Sequence, residues 1–153
     1  MLLLSFSISD DKYVIDTRDI IEVTTLVRLK KLPGSVHGVA GLLNYHGSAV
    51  PIIDISELCG KPAQENTLTT RIIIVNYING NVIGIKAENV TETIRIDDDA
   101  FEESGIKVNK NNFLGDVAEV DNRFIQLIDI NQLLTDEVRE CLFPEKSEMA
   151  GLN

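Results

Sequence analysis

The sequence predicts a mainly β protein made of two small antiparallel barrels, closed by one short helix at the carboxyl-terminal end. Three observations predict it. Short apolar or alternating runs, bounded by turn residues, recur along the 153 residues. One unit is written twice. The stretch GVAGLLNYHGSAVPIIDISELCG, residues 38–60, reads as strand, turn, strand and helical cap, and residues 117–133 repeat it. Asp54 matches Asp129, Leu58 matches Leu133, Ile52 matches Leu127 and Gly47 matches Asn122, all at an offset of 75 residues. A helical apolar period is confined to a stretch near the end of the chain.

Taken in order, residues 2–8 and 12–15 read as strands joined at Asp10-Asp11. Residues 17–21 form a short helical turn or loop, with Thr17 as candidate cap. The β-branched stretch 20–29 favours a strand, which Pro33-Gly34 interrupts. Leu42 and Leu43 run into a reversal at residues 44–48, where Gly47 supplies a positive φ, and the apolar run 49–55 follows. Asp54 and Glu57 are three residues apart, the spacing of a reciprocal capping box, and Gly60 stops the turn.

Residues 61–70 are a polar connector and the best candidate for an internal boundary. After it the five-strand order restarts. Residues 71–78 and 81–85 flank Asn79-Gly80, a strong hairpin turn signal, and 90–96 is the next strand. Ile15 matches Ile85, Ile20 matches Val90 and Glu22 matches Glu92 at an offset of 70 residues. The acidic segment 97–112 reads as a solvated connection, ahead of strands at 117–120 and 123–130 about Asp121-Asn122. Leu134, Val138, Cys141 and Leu142 recur at helical spacing before Pro144. The expectation is one domain over residues 1–144, with barrel-like halves around 1–60 and 71–134, and a flexible tail at 145–153.

Composition restricts function. With 24 acidic against 14 basic residues the formal charge is −10, a field that repels phosphate backbones and anionic lipid, so no nucleic acid partner is expected. Met1-Leu2-Leu3-Leu4 is broken by Ser5, Ser7 and Ser9, too short and polar for a signal peptide or membrane span. A cytoplasmic protein without direct membrane insertion is expected. Cys59 and Cys141 form no CxxC pair and read as packing residues; His37 and His46 lack metal-site spacing. GxGxxG, Walker, GxSxG and HExxH motifs are absent, so the sequence points to no cofactor, no metal, no catalytic residue and no enzyme. Asp54 and Asp129 are explained as caps rather than paired catalytic acids. Arg28, Lys30 and Lys31 are the one basic cluster, either a solvated edge that guards a strand or a docking patch for an acidic partner.

Gly41-Leu42-Leu43-Asn44-Tyr45-His46-Gly47, followed by Val50-Pro51-Ile52-Ile53-Asp54-Ile55, resembles the central motif of the CheW-like family of chemotaxis coupling proteins. The similarity extends to Ile20-Ile21-Glu22-Val23, to Asn79-Gly80 and to Leu127-Ile128-Asp129-Ile130. The resemblance implies two intertwined five-stranded Src homology 3-like barrels. It implies an adaptor that couples the cytoplasmic helical hairpin tip of chemoreceptors to the regulatory domain of a CheA-type histidine kinase, held at membrane receptor arrays through those partners. By position, Ile20, Glu22, Gly41 and His46 fall at the family's receptor-binding surface, and a groove between the barrels would accept the hairpin. Where the family usually carries arginine, this chain has His46. That departure suggests, as the alternative, a specialised scaffold in a surface-motility or other non-flagellar receptor pathway.

Overall fold

The computed structural model describes residues 1–32, 34, 36–102 and 113–144. Ten strands and two short helices follow in order: β1 Leu2–Ile8, β2 Asp11–Asp16, β3 Ile20–Thr25, β4 Val39–Tyr45, β5 Ser48–Ile53, α1 Ile55–Leu58, β6 Arg71–Asn76, β7 Val82–Arg95, β8 Phe101–Glu102, β9 Leu114–Val120, β10 Arg123–Ile128 and α2 Asp136–Leu142. The expected tail, 145–153, lies outside the described residues, as does most of the expected connection at 97–112.

The strands make two barrels, and neither belongs to one half of the chain. In the first, β3, β6, the amino-terminal part of β7, β5 and β4 are neighbours; in the second, β8, β9, β10, β2, β1 and the remainder of β7. Two parallel ladders carry the exchange. Ile52 and Ile53 of β5 pair with Gly84 and Ile85 of β7, while Gln126 and Leu127 of β10 pair with Tyr13 and Val14 of β2. The two contacts are copies. Ile52 and Leu127 keep the 75-residue offset, and their partners Gly84 and Val14 keep the 70-residue offset.

The pleat explains why strands such as Arg71–Asn76 are apolar at successive positions. Side chains alternate between faces, and both faces are covered. On β6, Ile72 and Ile74 point into the first barrel with Leu43, Val50 and Ile52, whereas Ile73 and Val75 join the cluster between the barrels. On β2, Val14 lies in the second barrel with Leu3 and Ile125, whereas Tyr13 and Ile15 join the same central cluster. That central cluster also takes in Phe6, Ile53, Ile85, Phe113 and Ile128, and it is the largest of the three. The thickest apolar core is therefore the seam. Gly84 allows the exchange, since a Cβ there would lie 2.5 Å from Ile52 Cδ1 and 2.8 Å from Ile72 Cγ2.

Turn and cap chemistry follows the expected repeat, with corrections. His46-Gly47 and Asp121-Asn122 are matching two-residue reversals, with φ of 50° and 84° in the first and 51° and 63° in the second. The first turn is thus tighter than the expected 44–48, because β4 runs to Tyr45 and β5 starts at Ser48. Asp16, not Thr17, caps the turn Thr17–Asp19, accepting from Arg18 N, while the Thr17 hydroxyl donates to Leu2 C=O. The expected strand 20–29 ends at Thr25; beyond it only Lys30 bridges to Leu42. Residues 82–95 form one strand rather than two, with the break absorbed at Asn89, where φ is 51°. Part of the acidic connection is strand, since Phe101 pairs with Ala118. On α2, Val138 and Leu142 pack inward and Thr135 caps, but Cys141 is exposed.

The capping box is half formed. Asp54 Oδ1 accepts from Glu57 N at 3.2 Å, but the Glu57 carboxylate turns to Gly38 N at 3.3 Å. Asp54 N donates instead to Gly38 C=O, and Asp129 N to Phe113 C=O, each at 2.8 Å and each spanning to the strand that enters its repeat. The second copy caps one residue earlier, Asp129 Oδ1 accepting from Asn131 N at 3.1 Å while Gln132 N donates to Asp129 C=O.

The connector 61–70 is tied to the rest of the fold by hydrogen bonds. It is strapped across a buried polar cluster. Asp54 is 1% exposed and accepts from Gln64 N at 2.9 Å; Lys86 is 4% exposed and donates to Gln64 C=O. The hydroxyls of Thr67, Thr69 and Thr70 converge on Glu88. Asp129, the copy of Asp54, is exposed. Asp54→Ala leaves two backbone amides short of an acceptor and removes one of the two carboxylates whose charge favours protonated Lys86, and is expected to cost about 2–4 kcal/mol in urea unfolding. Asp129→Ala removes a cap alone and is expected to cost about 0.5–2 kcal/mol.

Candidate functional site

The sequence-derived positions Ile20, Glu22, Gly41 and His46 come from β3 and from the β4 to β5 hairpin. β3 is a barrel edge that, among the described residues, pairs with β6 alone. Its side chains are unusually open: Ile21 and Val23 are exposed and Glu22 stands between them. The hairpin tip reaches this edge because its reversal is held from inside, Gly47 N donating to Asn44 Oδ1 at 3.1 Å. His46 takes the left-handed conformation that a primed turn requires, and histidine tolerates it better than most side chains.

Glu22 and His46 are brought together. His46 Nε2 lies 3.9 Å from Glu22 Oε1, with the two side chains 80% and 45% exposed. Tyr45 completes the group. Its ring meets the His46 imidazole edge-on with centroids 4.4 Å apart, and its phenol lies within the influence of the Glu22 carboxylate. The hydrogen bond to Glu22, then burial, then the carboxylate charge hold the Tyr45 phenol above its ordinary pKa, since ionisation would lose the donated bond and oppose two anions. The sequence signal for Tyr45 was present in its motif position, but its partner is non-local.

Gly41 and Ile20 act differently. Gly41 is buried at an irregularity between β4 and β5, with φ of 156°. A Cβ there would sit 2.9 Å from both Leu29 Cβ and the Lys30 carbonyl oxygen. Only glycine lets the 29–30 segment close on β4, where Lys30 and Leu42 exchange hydrogen bonds of 2.9 and 2.7 Å. Ile20 is half-buried against the central cluster and seats the start of β3. Thus Glu22 and His46 form an open surface, while Gly41 and Ile20 shape the frame behind it.

An open carboxylate beside a phenol and an imidazole, on a strand whose Ile21 and Val23 are also exposed, suits recognition of a protein surface. Among the described residues no group of three or more His, Cys, Asp or Glu is placed to hold a metal. Also among them, no helix is long and apolar enough to cross a membrane. Two outcomes test this geometry. Glu22→Gln should lower the Tyr45 pKa toward the ordinary phenol value, read as tyrosinate absorbance against pH and assigned by difference with Tyr45→Phe. Gly41→Ala should destabilise the fold by about 1–3 kcal/mol through the displaced 29–30 segment, read by urea unfolding.

Residues 2–138 match the CheW-like domain family. A chemotaxis protein CheW of Bacillus subtilis is 22% identical over 147 residues, 95% of this chain and 94% of that protein. A chemotaxis protein CheW of Helicobacter pylori is 25% identical over 134 residues, 86% of this chain and 79% of that protein. Among solved structures, the scaffolding protein TtCheW of Thermoanaerobacter tengcongensis superposes with a TM-score of 0.77 at 26% identity, covering 85% of this chain and 84% of that one. Its fold agrees with the mainly β, intertwined-barrel architecture described above. The chain belongs to the CheW-like domain family.

Proposed function

We propose that this protein is a non-enzymatic adaptor that couples chemoreceptors to a CheA-type histidine kinase in bacterial chemotaxis. The observation that carries the reading is the joining of Glu22, Tyr45 and His46 into one open surface on a chain whose family match spans residues 2–138. The receptor's cytoplasmic helical hairpin tip docks against this surface. Glu22 and His46 touch it, Ile21 and Val23 offer it apolar contact, and Ile20 and Gly41 fix the backbone that presents them. Helix-on-surface contact supplies affinity, and the rim charges choose the partner.

The kinase's regulatory domain binds a barrel end, so receptor and kinase are held by one rigid body, and a shift in their relative position biases the kinase between states. The protein works in the cytoplasm, brought to membrane receptor arrays through these partners. The named relatives are chemotaxis proteins, which favours this pathway over the surface-motility alternative drawn from His46.

Titration calorimetry with the organism's own kinase regulatory domain and a receptor-tip fragment tests the reading. Both should bind. Glu22→Lys should weaken the tip by about tenfold or more and leave the kinase domain unchanged. His46→Arg restores a permanent cation and should tighten the tip. Binding of neither partner, or equal loss of both with Glu22→Lys, would overturn the assignment.

A further inference from the structure

The basic cluster read from the sequence has no part in the coupling surface, and the structure places two of its members at a cavity. The cavity, of about 510 Å³, lies in the first barrel between the 26–31 segment, the start of β4, the start of α1 and β7. That size is ordinary for a site that takes a small organic molecule. Leu26, Leu29, Val39 and Ala40 give it apolar walls. Arg28 and Lys31 are exposed at it, and the buried Lys86 also lines it.

Charge within the cavity is not balanced by what the protein itself uses. Asp54 and Glu57 also line it, but both carboxylates are engaged. Asp54 accepts from Glu57 N, Gln64 N and Gln64 Nε2, and Glu57 accepts from Gly38 N and lies 3.9 Å from His37 Nδ1. The cations are less occupied. Among the described residues, Lys86 Nζ gives one hydrogen bond, to Gln64 C=O, although an ammonium has three donors. Among the described residues, the side chains of Arg28 and Lys31 make no ion pair. Burial lowers the Lys86 pKa, with the charges of Asp54 and Glu88 opposing the shift, so an additional anion would relieve a desolvated cation.

We propose that this cavity binds a small organic carboxylate, its apolar body against Leu26, Leu29, Val39 and Ala40 and its carboxylate among Arg28, Lys31 and Lys86. This site is separate from the proposed receptor surface and does not depend on the coupling role. It shares a wall with that surface's frame, since Leu29 is the residue that Gly41 admits against β4.

The test is a titration of the nitrogen-15-labelled full chain with 4-phenylbutyrate and, separately, with the uncharged 4-phenylbutyramide, followed by amide shifts. The carboxylate should move the Leu29, Val39 and Ala40 amides saturably, and the amide should bind about tenfold or more weakly, the worth of one charge-assisted bond. The double variant Arg28→Gln, Lys31→Gln changes exposed side chains only. It should weaken the carboxylate by about tenfold and leave the amide unchanged. Absence of saturable shifts at these amides, equal affinity for acid and amide, or an unchanged carboxylate affinity in the double variant would overturn the proposal.

Discussion

Everything in this molecule depends on two short parallel ladders, β5 with β7 and β10 with β2, through which each half of the chain supplies a strand to the barrel begun by the other. A barrel of five or six short strands has little interior of its own. Among the described residues, the interior clusters of the two barrels hold five buried hydrophobic residues each, which is thin for independent stability. Exchange turns the second face of each strand inward as well, so Ile73, Val75, Tyr13 and Ile15 build a third and larger core at the seam. Cohesion therefore resides between the barrels more than within them.

The same geometry places the candidate surface. β3 remains an edge because β6 and β7 complete the sheet on its other side, and the β4 to β5 hairpin tip is free to meet it because β5 is anchored to β7. Glu22, Tyr45 and His46 are thus positioned by pairings made far from them in sequence. Gly41 contributes by having no side chain. The buried Asp54 and Lys86, joined through Gln64, fix the far end of the same hairpin, which gives the exposed tip a rigid base.

What was legible in the sequence was local chemistry. The Gly47 and Asn122 turns, the Asp54 and Asp129 caps and the 75-residue offset depend on residues within a few positions of one another, and their physical requirements are strict. The family resemblance then connected Glu22 to His46. Non-local outcomes were hidden. Nothing adjacent to Asp54 marks it as buried while Asp129 is exposed, because the difference comes from the 61–70 strap. The polar composition of that strap suggested a linker, yet its threonines and Gln64 are polar because they satisfy Glu88, Asp54 and Lys86. Residues 81–85 and 90–96 read as two strands, yet they belong to the single strand Val82–Arg95, because a strand passing between two sheets accommodates one residue at positive φ, here Asn89.

Strand exchange as the source of cohesion is tested most directly by urea unfolding followed through isoleucine methyl signals. Ile74 reports the first barrel, Ile125 the second and Ile85 the seam. A single midpoint shared by all three is the expected result. Loss of Ile125 at a different urea concentration from Ile74, with Ile85 following only one of them, would show that the barrels stand separately and would contradict it.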